Sequence, residues 1–181
     1  MRFRYVSVTL LLALGINSSA SAMSNKNWAT VSDITNGVLI VGALGLPAYR
    51  SDWEGFQQGA YSLGAAEGMA MLGKATVHEE RPDHSDNKSF PSSHTALSFA
   101  SATTYYRRYD DIETAIPAFL LATLTGIARV EAKKHHWYDA VAGAAIGTGS
   151  GWFFTDAFNK TVQLVPWVEG GGGGLVAVVK W

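Results

Sequence analysis

Between residues 34 and 158 the chain alternates apolar segments of helical length with breaks rich in charge or proline. The segments run from Ile34 to Ala48, Gly55 to Leu72, Thr95 to Tyr106, Glu113 to Ala128 and Tyr138 to Phe158. PAYRSDWEG, RPDHSDNKSFP, RRYDD and VEAKKHH separate them, and such stretches stop regular helix. Short helices bury their apolar faces only against one another. The pattern therefore predicts an all-α, single-domain bundle of about five to six helices. A chain of 181 residues with 48% hydrophobic content supports one such core. With no cysteine, disulfide staples and thiolate metal sites are excluded.

The two ends read differently from the middle. Arg2 and Arg4, the apolar run Val6 to Ile16 and the small residues Ala20-Ser21-Ala22 have the three-part form of a secretory signal. Residues 1–22 are therefore expected to be removed on export to the periplasm, the alternative being a retained membrane anchor. Residues 23–163 would form the helical domain. In 164–181, β-prone stretches flank a five-glycine run and predict a short hairpin, with a flexible appendage as the alternative. Without Arg2 and Arg4 there are 12 Lys and Arg against 15 Asp and Glu, a net charge of −3. No basic surface for nucleic acid is present.

A spanning helix needs about 20 mostly apolar residues. Uncharged runs here reach 16 from Ile34 to Tyr49, 15 from Thr114 to Ala128 and 16 from Ala140 to Thr155. The 18 from Ser89 to Tyr106 hold eight Ser or Thr and a His. The count favours a soluble domain with at most peripheral membrane contact; the Gly-, Ala- and Ser-rich helices would also suit close packing in a bilayer. Nothing in the sequence sets an oligomeric state.

Three polar clusters interrupt the apolar pattern. In KATVHEERP, Lys74 and Arg81 are seven apart and would share a helix face, with Glu79 and Glu80 solvated. In SFPSSHTALSFA, Pro91, Ser92 and Ser93 have the composition of a helix start, whose free N–H groups suit an anion, and His94 would stand beside it. In ARVEAKKHHWYDA, His135 and Asp139 have i, i+4 spacing at a predicted helix start, and Arg129 precedes them by six. Taken singly, each is better explained by a charged helix end, a surface or core histidine, or an ion pair. Together they supply three cations, a helix N-terminus and two imidazoles, one with a carboxylate, which is what phosphoryl transfer without a metal needs.

The order K-x6-R-P, P-S-x-H and R-x5-H-x3-D, from Lys74 to Asp139, resembles the type 2 phosphatidic acid phosphatase and vanadium haloperoxidase superfamily. The resemblance implies a helical bundle with the active site at one end. It implies His135 as nucleophile, Asp139 as its orienting partner and His94 as general acid and later base. Lys74, Arg81, Arg129, the Ser92 hydroxyl and the Ser93 amide would hold phosphate. The implied substrate is a phosphomonoester, soluble or lipid-borne, or a lipid diphosphate, with no cofactor and with vanadate as inhibitor.

Some positions depart from the pattern. Ser93 stands where the family usually has Gly, which would strain a backbone angle open only to Gly. Ala128 replaces a serine, and the eight residues between Pro82 and Pro91 make a short loop, closer to the lipid-phosphatase branch. Two other readings are a vanadium-dependent haloperoxidase, with vanadate tethered by His135, and a metal-binding or structural module using His78, His84, His94, His135 or His136. No H-E-x-x-H or finger spacing supports the latter.

Overall fold

The computed structural model describes residues 23–156, 162–169 and 172–179; the expected signal, 1–22, lies outside the described residues. The helices are α1 Asn25–Tyr49, α2 Trp53–Thr76, α3 Ser93–Tyr109, α4 Ile112–Glu131 and α5 Trp137–Phe154, and the strands are β1 Val162–Glu169 and β2 Gly172–Val179. The predicted all-α bundle is the observed one. The first four helices start where a side chain can satisfy their free N–H groups: Ser24, Asp52, Ser92 and Asp111 cap α1 to α4. RRYDD is a two-residue reversal, with Asp110 left-handed at φ 50° and Asp111 capping α4. The hairpin pairs Trp167 with Gly174 in antiparallel register.

Successive helices run in opposite directions. One end of the bundle collects the starts of α1, α3 and α5 and the ends of α2 and α4. The other is stapled by buried Arg108, whose Nε donates to Asp52 Oδ2 at 2.8 Å and whose NH1 donates to the Asp156 carbonyl at 3.3 Å. Tyr109 also donates to Asp52, at 3.1 Å. An ion pair this buried stabilises only while both partners are present.

The interior is built of small residues. Ala66, Ala96, Ala100, Ala102 and Ala122 are fully buried, as are Ser32, Ser62, Ser98 and Thr125. Hydroxyls bridge helices, with Thr35 to Thr125 at 2.7 Å and Ser98 to Asn36 at 3.0 Å. Gly143, Gly147 and Gly151 lie four apart along α5 and bring its backbone against α3. A Cβ on Gly147 would stand 2.1 Å from the Ala96 carbonyl oxygen and 2.8 Å from the Ala100 nitrogen. Backbone atoms cannot swing aside, so Gly147→Ala is expected to cost about 3 kcal/mol or more in thermal or denaturant unfolding. Gly149→Ala, where a Cβ meets nothing, is expected to be neutral or slightly stabilising. Equal effects at the two positions would contradict this packing.

Large apolar side chains point outward instead. Ile34, Val38 and Val41 line an exposed face of α1, and Ile112, Ile116, Leu120 and Ile127 one of α4. The residue count that favoured a soluble domain stopped at each charge. The helices do not: α1 continues through Lys26 and Asp33, and α4 through Glu113 and Arg129. At 25 and 20 residues these two are long and apolar enough to cross a membrane.

Candidate active site

The end of α4 explains the R-x5-H spacing. After Glu131 the chain doubles back through Lys133, left-handed at φ 58°, and the N–H groups of Lys134 and His135 return to the Arg129 carbonyl at 3.1 and 3.3 Å. His135 therefore sits at the tip of α4, before α5 begins. Its i, i+4 spacing to Asp139 is not a helical one, because α5 starts at Trp137 with His136 as N-cap.

His135 is buried. Its Nδ1 lies 2.7 Å from the Ser89 carbonyl oxygen, and a carbonyl only accepts, so Nδ1 carries the hydrogen and Nε2 keeps its lone pair. Asp139 is also buried, with Oδ2 at 3.7 Å from His135 Nδ1. The same Oδ2 accepts from Ser89 Oγ at 2.5 Å and from the His136 N–H at 2.8 Å. Asp139 thus fixes the Ser89 segment, which in turn holds the imidazole. Burial, then Arg129, Arg81 and Lys74, push the His135 pKa well below that of a free histidine, against the pull of Asp139. Asp139 is held low by Ser89 and the His136 N–H, which outweigh its burial. The pair is a carboxylate beside a neutral imidazole.

The three cations reach this imidazole by different routes. Lys74, in the last turn of α2, donates to the Pro91 carbonyl, and burial and Arg81 lower its pKa. Arg81 is not on the helix of Lys74, which ends at Thr76. It lies in the 77–92 segment, with Nε on Asp86 at 2.7 Å and NH1 on the Lys134 carbonyl at 3.1 Å. Arg129 is buried, its NH1 3.5 Å from Ser32 Oγ and 3.9 Å from Asp33 Oδ1, and its buried Nε has no hydrogen-bond partner.

Ser92 is fully buried and caps α3, accepting from the Thr95 N–H at 3.4 Å and the Thr95 hydroxyl at 3.0 Å, while its own N–H bonds to the Asp139 carbonyl. Its hydroxyl is spent largely on the helix start. Ser93 is the first residue of α3 and is absent from the positive-φ positions, so the strain expected from replacing Gly does not arise. Its hydroxyl lies 3.4 Å from Glu67. His94, half-buried, places Nε2 2.9 Å from Asp33 Oδ1. Burial and Arg129 hold its pKa below that of a free histidine, and the Asp33 carboxylate offsets them only in part.

Ser32, Asp33, Glu67 and Ser89 were missed by sequence reasoning. Only Ser89, two residues before Pro91, lies beside a motif. Glu79 is not solvated as expected: its carbonyl accepts from Ser89 N–H and its carboxylate from Tyr138. Glu79, His136 and Asp139 bring ligand-type atoms within 4.8 Å of one another, a trio the sequence spacing did not reveal.

Fold and site together define an all-α protein with a cationic, two-histidine cradle at one end of its bundle. A sequence profile described as the PAP2 superfamily matches residues 60–163. The chain is 33% identical over 90 residues to the lipid A 1-phosphatase of Porphyromonas gingivalis, covering 49% of this chain and 20% of that protein. It is 36% identical over 122 residues to lipid phosphate phosphatase 1 of Arabidopsis thaliana, covering 59% of this chain and 35% of that protein. The crystal structure of Aquifex aeolicus LpxE superposes with a TM-score of 0.62 at 20% identity, covering 72% of this chain and 84% of that one, a likeness of fold. The chain belongs to the PAP2 superfamily.

Proposed function

We propose that this protein is a metal-independent phosphatase that hydrolyses a phosphomonoester carried on a lipid, through a phosphohistidine at His135. One observation carries the reading: Lys74, Arg81 and Arg129 all act electrostatically on a buried imidazole whose Nε2 lone pair is free. Three like charges in one place repel, and a phosphoryl group is the ligand that relieves them. Nε2 of His135 attacks phosphorus as the bond to the leaving oxygen breaks, and His94 gives that oxygen a proton. A water molecule, losing its proton to His94, then attacks phosphorus, and the P–N bond breaks to release inorganic phosphate and neutral His135. Positive charge that develops on the imidazole is met by Asp139 and the Ser89 carbonyl.

The lipid part of the reading rests on the arrangement of side chains. Small and hydroxylated residues fill the interior and large apolar ones face outward, the pattern of helices packed within lipid. On this reading α1 and α4 lie against acyl chains, with the site at the exported face. The named relatives act on lipid A and lipid phosphates, which supports the same substrate class.

A panel of soluble and lipid phosphomonoesters and diphosphates, assayed on the purified full chain, tests the proposal. Lipid phosphates are expected to be turned over in EDTA, with orthovanadate competing with substrate as a five-coordinate mimic of the transition state. Loss in EDTA with recovery on Zn²⁺ or Mg²⁺ would overturn the mechanism and direct attention to Glu79, His136 and Asp139. Robust bromide oxidation by the vanadate-loaded protein would make it a haloperoxidase.

A further inference from the structure

α1 enters the site through Ser32 and Asp33, and no motif includes either. We infer that Asp33 is the positioning residue for His94: its carboxylate holds the imidazole by Nε2 and favours the protonated ring that the acid step needs. The inference rests on His94 being the general acid.

Asp33 Oδ1 is 2.9 Å from His94 Nε2 and 3.9 Å from Arg129 NH1, so a single oxygen touches the acid and a phosphate-holding cation. An ionised carboxylate only accepts, which makes Nε2 an N–H donor and leaves Nδ1 as the nitrogen that serves the leaving oxygen. Before the first step both nitrogens carry hydrogen. After Nδ1 has given its proton away, its lone pair is free to take one from water, and Nε2–H stays on Asp33 throughout.

The charged groups that face His94 are Asp33 from α1, Arg129 from α4 and Arg81 from the 77–92 segment. Burial and the two arginines favour the neutral ring, which cannot act as an acid; Asp33 opposes them. The acid step is lost as pH rises through the His94 pKa. Removing Asp33 lowers that pKa, so the alkaline limb of kcat/KM moves to lower pH. Arg129 does not produce this signature: disturbing it weakens binding of the phosphoryl group whatever the leaving group.

The test compares Asp33→Asn, Asp33→Glu and His94→Ala in the full chain on a short-chain alkyl phosphate and on p-nitrophenyl phosphate, over a pH series. Asp33 is 62% exposed, so its variants keep the fold, which thermal unfolding checks. Asp33→Asn is expected to lose about tenfold in kcat/KM on the alkyl ester and less than about threefold on the aryl ester, whose leaving oxygen needs little protonation. Its alkaline limb should move to lower pH, and Asp33→Glu should restore both. His94→Ala should show the same leaving-group dependence, more strongly. Equal loss on both esters with an unshifted limb in Asp33→Asn, while His94→Ala retains its dependence, would overturn the role of Asp33 alone. No leaving-group dependence in His94→Ala would remove the reading of His94 on which it rests.

Discussion

His135→Ala is expected to lose at least about 10⁴-fold in kcat on every phosphate substrate, activated or not. The size of the effect follows from the ring's position. Nδ1–H is committed to the Ser89 carbonyl and burial keeps the ring neutral, so Nε2 is a ready nucleophile whose removal leaves no second imidazole in the same place. His94 stands elsewhere, in the first turn of α3 with its Nε2 on Asp33, and serves the leaving oxygen rather than phosphorus. The cavity from a truncated side chain at the tip of α4 is small against the bundle, and thermal unfolding should change little. kcat on lipid and aryl phosphates measures the loss; a fall of less than tenfold with the fold intact would show that phosphorus is attacked by something else.

Arg129→Ala is expected to cost about 10² to 10³-fold in kcat/KM, or roughly 3–4 kcal/mol of transition-state stabilisation. Arg129 is buried, and its Nε has no hydrogen-bond partner to lose when it turns to an anion. Arg81 is committed elsewhere, to Asp86 and the Lys134 carbonyl. Lys74 donates to the Pro91 carbonyl. Arg129 is therefore the cation with most unspent donor capacity, and its loss should weaken orthovanadate inhibition in parallel with catalysis. Alkyl and aryl esters should suffer alike, which separates it from Asp33. A variant with lower kcat/KM but unchanged vanadate affinity would place Arg129 outside the phosphoryl-binding group.

Much of this site could be read along the chain, because its chemistry is concentrated in three short clusters whose residue types have few other reasons to occur together. Lys74, Arg81, His94, Arg129, His135 and Asp139 were named from residue type, spacing and the order of the clusters. The geometry that unites them did not. Arg81 arrives from an extended segment after α2 has ended, and His135 and Asp139 meet across the start of α5, neither of which helical spacing describes. Asp33 and Ser32 belong to the polar opening of α1, and sequence reasoning began that helix at Ile34 because apolar periodicity starts there. Glu67 lies within α2, where one carboxylate carries no pattern. Helix length was underestimated for a related reason: charges near helix ends shortened the counted runs, and sequence alone does not say that the large apolar residues of α1 and α4 face outward.

The central claim is that phosphate passes through His135, and trapping that species tests it most directly. The full chain is mixed with a lipid phosphate, quenched at alkaline pH during turnover, digested and examined by mass spectrometry for an acid-labile phosphoryl group. The account predicts one phosphoryl group on His135 in the native chain, retained or increased in His94→Ala with an activated aryl phosphate, and none in His135→Ala. A phosphoryl group on another residue, or turnover in His135→Ala at the native rate, would contradict it.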